Sequence, residues 1–534
     1  MKKTFALIIA TLSIAFISCK GDEPLPKDPP KGFISFGFSK DVNPVLSEDI
    51  VCRINSDGTI TGEFVDLMID YTLIPTFETD AKNVSVASMT QVSGTTAQNF
   101  SRKVIYNLLM EDGSHKNYAV IMTFPQRPQI PTIAITTKNG AAIKDKKNYI
   151  PGTVVISDPD GLYWDKKELI LEMTEDGIRG RGNTTWDMPK KPYKLKFDEK
   201  VSIFGLAADK EWVILANYAD KTLLRNVVAM KLSEILGMAW TPAMLPVEVY
   251  LNGKYLGCYT FSEHKKVAKG RVNLDIVGED DNEGDAVTGD YYFEIESRMD
   301  ETTCFRTPVR NLPMMFADPE VPTEAQFEYV YNYFGDAERA LNSDNFTDPE
   351  NGWQKYIDAE SFAKTFIVNE LTKNVDGNMR KSSFITKQKG KKLEMYHLWD
   401  YDITLGNCNY INLYGGTNGP EGWFIKTVSL DGGENWFIRL CEDPAFCATV
   451  KRIWDEHYNE IAAIPHFIDQ QANFIYDAQK RNFERWDILS VQVWPNVVVT
   501  GDYIKEIDYM KDFYKKRMTW LDAAFNVSEG EIFK

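Results

Sequence analysis

Gly180-Arg-Gly-Asn183-Thr-Thr-Trp186, running on through Lys190-Lys-Pro-Tyr-Lys194-Leu-Lys196-Phe197, is a small-residue turn set between arginines and followed by a short strand. Backbone amides with little side-chain cover, next to fixed cations, are what the phosphates of a nucleotide require. The same turn also serves as an ordinary hairpin, so the residues around it have to decide its meaning. Side chains alternate along a strand, which sets Tyr193, Leu195 and Phe197 on one side and Lys194 and Lys196 on the other. The first face is expected to bury and the lysine face to line a cleft. Arg179, Arg181 and Asn183 are then the turn residues nearest a bound phosphate.

Two acidic loops lie downstream. Asp376 sits in Asn374-Val-Asp-Gly377, directly after a helix expected over Ala359 to Lys373 with Asp358 as its N-cap. Asp400 and Asp402 sit in Leu398-Trp-Asp-Tyr-Asp402, after a two-stranded hairpin read over Lys381 to Leu398. A hairpin returns the chain to its starting edge, so Asp376 and Asp400 are expected near each other. Helix, Asp loop, hairpin and second Asp follow the order of protein kinases, where the first Asp orients the attacking hydroxyl and the second holds a metal. Carboxylate oxygens suit Mg²⁺, which makes Asp376 the catalytic candidate and Asp400 and Asp402 the metal candidates. A strand lysine on the phosphates needs an acid to hold it. Glu234, on a helix read over Lys221 to Gly237, and Glu263, in Ser262-Glu-His264, are the two candidates.

The rest of the 534-residue chain frames these motifs. Lys2-Lys3, an apolar run to Ile17 and Ser18-Cys19 read as a lipoprotein signal over 1–18 with Cys19 as the lipidated residue. A tether follows over 19–31. Short alternating strands over 32–125, with hairpin signals at Asp57-Gly58 and Asp112-Gly113, indicate an immunoglobulin-like β-sandwich. Three prolines between Pro125 and Pro131 mark a boundary. From 131 to about 530 the pattern is mixed α+β, with a hairpin at Asn252-Gly253 and a helical end from Pro444. A net charge of −17 argues against nucleic-acid partners. The six cysteines beyond Cys19 show no zinc spacing and are read as buried thiols.

Seven blocks in order carry a family resemblance. They are Ile178-Arg-Gly-Arg-Gly-Asn-Thr-Thr-Trp186, Lys191-Pro-Tyr-Lys-Leu-Lys196, Trp212 to Asn226, Pro246 to Gly257, Ser262-Glu263, Lys373-Asn-Val-Asp-Gly377 and Trp399-Asp-Tyr-Asp-Ile-Thr-Leu-Gly-Asn407. The chain resembles the spore-coat protein H (CotH) kinase family over about 400 residues from Pro131 onward. The resemblance implies an atypical protein-kinase-like domain that uses ATP and Mg²⁺ (or Mn²⁺) to phosphorylate Ser or Thr of a protein acceptor. It matches Asp376 to the catalytic-loop Asp, Asp400 to the metal-binding Asp, and the Lys194/Lys196 strand to the phosphate-contacting strand. Arg225 and Asn226 are expected to support the cleft. Phe16-Ile-Ser-Cys19 looks like a lipobox and Lys20-Gly-Asp-Glu23 resembles the acidic export tag of surface lipoproteins in Bacteroidetes-type bacteria, which implies a lipid-anchored protein of the outer membrane, facing the cell surface.

One position departs from the kinase pattern. Kinases place a metal-holding Asn five residues past the catalytic Asp, where this chain has Lys381. An ammonium has no lone pair to give a cation, so Asn378, Asp402 or Asn407 would have to substitute. The alternative is a catalytically inactive kinase-fold lipoprotein that binds a glycan or a protein partner, with exposed aromatics as its contact groups.

Overall fold

The computed structural model describes residues 32–300, 302–410, 418–425 and 435–526. The signal, Cys19 and the tether lie outside the described residues. The chain divides into two compact units, one of residues 1–66 and 70–125 and one of residues 67–69 and 126–534. Among the described residues no helix is long and apolar enough to cross a membrane.

In the first unit, strands Phe33–Phe38, Ile50–Val51 and Thr76–Thr79 form one sheet, and a six-stranded sheet contains Thr59–Glu63, Val104–Leu109 and His115–Thr123. Aromatic rings join the two sheets. Phe33 meets Tyr106 and Tyr118 edge-on at 5.8 and 5.2 Å between ring centroids, and Phe36 meets Tyr106 at 5.4 Å. Both Asp-Gly signals are turns between paired strands, with Gly58 and Gly113 at positive φ.

The second unit opens with a closed seven-stranded barrel. Its strands are β1 (Thr132–Thr137), β2 (Ile150–Ser157), β3 (Glu168–Gly180), β4 (Tyr193–Val201), β5 (Asp209–Leu215), β6 (Leu245–Leu251) and β7 (Lys254–Glu263). They run in the order β1-β2-β3-β4-β5-β7-β6, and β6 closes on β1 in parallel. The β6–β7 hairpin turns at Asn252-Gly253, both at positive φ, the backbone a two-residue I′ turn demands. Tyr193, Leu195 and Phe197 join Ile178, Trp212 and Phe261 in the barrel core. The alternation expected for the lysine strand therefore holds.

Beyond the barrel, β8 (Tyr291–Ile295), β9 (Cys304–Arg306), β10 (Pro313–Asp318), β11 (Ser383–Lys387) and β12 (Leu393–Met395) form a sheet in the order β9-β10-β8-β11-β12. The helices around it include α1 (Arg225–Ile235), α2 (Glu324–Asn342), α3 (Ala359–Thr372), α4 (Pro444–Ala462), α5 (Tyr476–Arg485) and α6 (Tyr503–Phe525). The Asp358 side chain accepts from Ser361 N and caps α3 as its sequence predicts.

The helix read from Lys221 begins instead at Arg225. Asp220 is the reason. Its carboxylate accepts from Thr222 N (3.0 Å), Thr222 Oγ1 (2.6 Å) and Arg225 N (2.9 Å), so residues 221–224 form a turn at positive φ through Leu223 rather than a first helical turn. Cys52, Cys258 and Cys447 are buried thiols, and burial pushes each up to about 12.

Candidate active site

The glycines of the 180–186 turn are dictated by packing. A Cβ on Gly180 would stand 2.3 Å from the Trp186 ring, and Gly182 sits at φ +78°. This tight turn separates its polar residues. Arg179 stacks over Tyr149 at 4.9 Å and donates to the carbonyl of Lys146, while exposed Asn183 accepts from Lys146 Nζ at 3.2 Å. Arg181 takes a different direction. Its guanidinium lies 5.9 Å from the ring of Trp399, the residue before Asp400. Burial holds the Arg181 pKa down, and the negative charges of Asp400, Asp402 and Glu294 pull it back up.

The two strand lysines also part company. Lys194 is buried and pairs with Glu211 of β5 at 2.9 Å. Burial lowers its pKa and Glu211 raises it again. Burial pushes the Glu211 carboxyl up, but Lys194 and Lys266 together outweigh this and leave it below its usual range. Lys196, more exposed, pairs with Asp176 at 3.0 Å.

Neither acid expected to hold the strand lysine does so. Glu234 points to solvent and pairs with Lys231 at 3.0 Å, because it falls on the outer side of α1. Glu263 is buried but accepts from Ala243 N at 3.1 Å and lies 3.9 Å from Arg271. Glu211, next to the quoted Trp212 block, was missed because only the strand register brings it to Lys194.

The Asp376 loop is built by a left-handed Lys373 at the end of α3 and by Asn374, whose Oδ1 accepts from Asp376 N and Gly377 N at 3.2 and 3.1 Å. Gly377 has no room for a Cβ, which would meet Asn369 Oδ1 and Asn374 Nδ2 at 2.8 Å. Asp376 Oδ1 accepts from Arg380 Nη1 at 2.6 Å and from Tyr410 Oη at 3.4 Å. Burial is the largest force raising its pKa. Arg380 and Lys381 oppose that rise, while Asp400 and Glu296 add to it.

Asp400 is exposed at φ +60°, a backbone that Asp tolerates better than most side chains, and it accepts from Ser382 Oγ at 3.3 Å. Asp402 is raised to about 7, first by burial and then by the charges of Asp400, Asp220 and Asp376. The loop that carries both is held from α1. Asn226 Oδ1 accepts from Tyr401 N at 2.8 Å, and Arg225 Nε donates to Thr404 O at 2.8 Å. Arg225 is itself fixed by Asp220 at 2.5 Å.

The barrel turn, the end of β4 and the two Asp loops thus share one electrostatic neighbourhood. Burial depresses the His264 imidazole, and the charges of Lys194, of Lys265 (which pairs with Glu294) and of Arg181 depress it further. Comparison with protein families matches the chain to the model described as CotH kinase protein over residues 178–521. The chain belongs to the CotH kinase family. No curated protein sequence matches it. The CotH match starts at the strand leading into the glycine turn and ends in α6, so it takes in Arg181, Lys194, Glu211, Asp376, Asp400 and Asp402.

Of the three residues expected to replace the missing kinase Asn, Asn407 is committed elsewhere. Its Nδ2 donates to Ala219 O and Asp402 O, both at 3.0 Å, and its Oδ1 accepts from Asn496 at 2.7 Å. Asn378 is fully buried, and among the described residues neither polar atom of its side chain has a hydrogen-bond partner. Lys381 N donates to Asp376 O at 2.7 Å, which closes the loop. Among the described residues no group of three or more His, Cys, Asp or Glu side chains is arranged to hold a metal ion.

Proposed function

We propose that the chain is an ATP-dependent phosphotransferase acting on Ser or Thr of a protein acceptor, anchored by lipid at Cys19 and displayed at the outer membrane surface. The first unit is an immunoglobulin-like spacer, and the second is a kinase-like catalytic body. The observation that carries this reading is Arg181, which brings the glycine turn of the barrel beside Asp400 and Asp402. A phosphate chain between the two would meet Lys194 and Arg181 on one side and the acidic loop on the other.

The acidic loop fits a divalent cation on its own chemistry. Burial, with the charges of Asp400, Asp220 and Asp376 added to it, holds Asp402 near 7, and a cation would relieve the repulsion among these carboxylates. Mg²⁺ commonly takes only one or two carboxylates and fills its shell with phosphate oxygens and water. Bound there, the metal supplies charge neutralisation at the transferring phosphoryl group. Asn378, whose side chain has no hydrogen-bond partner among the described residues, and Asp402 are the residues left to serve where Lys381 cannot.

The chain's own part follows from the geometry. Lys194, held by Glu211, positions the nucleotide's phosphates. Both hydrogen bonds to Asp376 fall on Oδ1, which leaves Oδ2 to accept from the acceptor hydroxyl. The hydroxyl oxygen bonds to the γ-phosphorus, the bond to the β–γ bridging oxygen breaks, and the nucleoside diphosphate leaves with that electron pair. The hydroxyl proton passes toward Asp376.

The test is label transfer from γ-labelled ATP, with Mg²⁺ or Mn²⁺, to the mature chain itself or to casein. Asp400→Ala is expected to reduce incorporation at least ~100-fold. Equal labelling by wild type and Asp400→Ala would end the reading and favour a non-catalytic binder.

A further inference from the structure

The segment 489–496 is fixed at several points. Lys221 Nζ donates to the carbonyls of Leu489 (3.1 Å) and Val491 (2.8 Å). Asn496 Nδ2 donates to Ala219 O and to Asn407 Oδ1, both at 2.7 Å, and the carbonyl of Pro495 accepts from Asn409 N at 2.9 Å. On this immobile backbone Trp494 keeps 52% of its surface exposed and Val491 keeps 48%.

A lone exposed hydrophobic residue is ordinary, but Trp494 is linked to the candidate base. Its indole stacks nearly parallel on Tyr410, with centroids 5.5 Å apart and planes 9° from parallel. The Tyr410 hydroxyl in turn donates to Asp376 Oδ1 at 3.4 Å. Desolvation and the Asp376 charge both raise the Tyr410 pKa, so the phenol keeps its proton and remains a donor. One aromatic pair therefore runs from the carboxylate that meets the acceptor hydroxyl to a half-exposed indole.

We propose that Trp494 is the acceptor-recognition residue, receiving an apolar side chain that flanks the Ser or Thr presented to Asp376. This rests on the phosphotransferase reading and narrows its substrate class to extended polypeptide with an apolar flank. A protein acceptor is the occupant because the indole continues directly from Asp376 through Tyr410. An apolar flank is favoured over a basic one because Arg380 and Lys381 both act on Asp376 and would repel a cation there. Trp494 and Val491 together offer an aromatic and aliphatic surface whose burial favours binding.

The probes are alanine-based eleven-residue peptides with one central Ser, flanked by Leu or Phe in one series and by Asp or Lys in the other. Their binding to the mature chain is read by fluorescence anisotropy, without any requirement for turnover. Apolar-flanked peptides are expected to bind about tenfold more tightly, Trp494→Ala to abolish the difference, and Trp494→Phe to retain most of it. Equal binding of the two series, or a preference that survives Trp494→Ala, would overturn the assignment. Label transfer to the same peptides separates the two readings. Apolar-selective binding without transfer supports the docking surface and removes the phosphotransferase, whereas transfer without apolar preference removes only the role of Trp494.

Discussion

Lys194 is held in a buried position by Glu211, which reaches it along the sheet. In the β4–β5 register Lys196 lies opposite Glu211 and Lys194 opposite Val213, so Glu211 meets Lys194 diagonally across the pair. Glu211→Gln is expected to leave the ammonium unpaired, to lower nucleotide affinity about tenfold and to destabilise the fold by about 1–3 kcal/mol, read by titration and urea unfolding. An unchanged affinity would mean that Lys194 does not meet phosphate. Asp402 makes the opposite kind of prediction. Its carboxyl is raised to about 7 in the fold, above its unfolded value, so the folded state holds the proton more tightly. Stability from this group is present below about pH 4 and is lost as pH rises toward 7. Asp402→Asn should therefore stabilise the chain by an amount that grows across that window and levels off above it at about 4 kcal/mol, while phosphoryl transfer falls. Stability curves that differ by the same amount at pH 4 and pH 8 would contradict a carboxyl raised by burial and by the charges of Asp400, Asp220 and Asp376.

Elements became legible in the sequence where a local rule fixed them. The lysine face of β4 follows from the two-residue repeat of a strand, and the Asn252-Gly253 hairpin from its turn residues. The Asp376 loop follows from the helix that Asp358 caps, and the Asp400 loop from the hairpin before it. What stayed hidden needed contacts between distant segments. Nothing near Lys194 announces Glu211, and nothing near Asp220 announces that its carboxylate will hold Arg225 and delay α1 by a turn. The packing of α3 on α6 shows the same limit, because Glu370 and Arg517, 147 positions apart, form an ion pair at 2.6 Å with neither side chain exposed. Glu370 also accepts from Phe424 N and Ile425 N at 2.9 and 2.6 Å, while Arg517 donates to the carbonyls of Pro420 and Gly422. The pair therefore clamps residues 420–425, which follow the Asp400 loop in the chain, onto two helices. Arg517→Ala should cost about 3–5 kcal/mol, because it strands a buried carboxylate. Adding Glu370→Gln to that variant should recover part of the loss, and a double variant as unstable as the sum of its parts would show that the two groups act independently.

At the scale of the whole molecule, the chain comprises two compact units, and each has its own core. Aromatic sheet-to-sheet contacts around Phe36 build the first, and the barrel core around Trp212 belongs to the second. Every residue proposed to meet nucleotide lies in the second unit. On the proposed function, Mg·ATP would bind only the folded form of that unit and should stabilise it by RT ln(1 + [L]/Kd), about 2.7 kcal/mol at a hundredfold excess over Kd. Calorimetry of the mature chain should then show two transitions, of which Mg·ATP raises only one, by roughly 2–4 °C. Phe36→Ala identifies the other. It opens a cavity in the first unit at a cost of about 3–5 kcal/mol and should lower that transition while leaving the nucleotide-sensitive one in place. Adding Asp400→Ala should remove the nucleotide shift without moving either baseline transition downward, since Asp400 is exposed and contributes little packing. A single transition that Mg·ATP and Phe36→Ala both move would mean that the two units unfold as one. In that case nucleotide occupancy of the second unit would bear on the stability of the first.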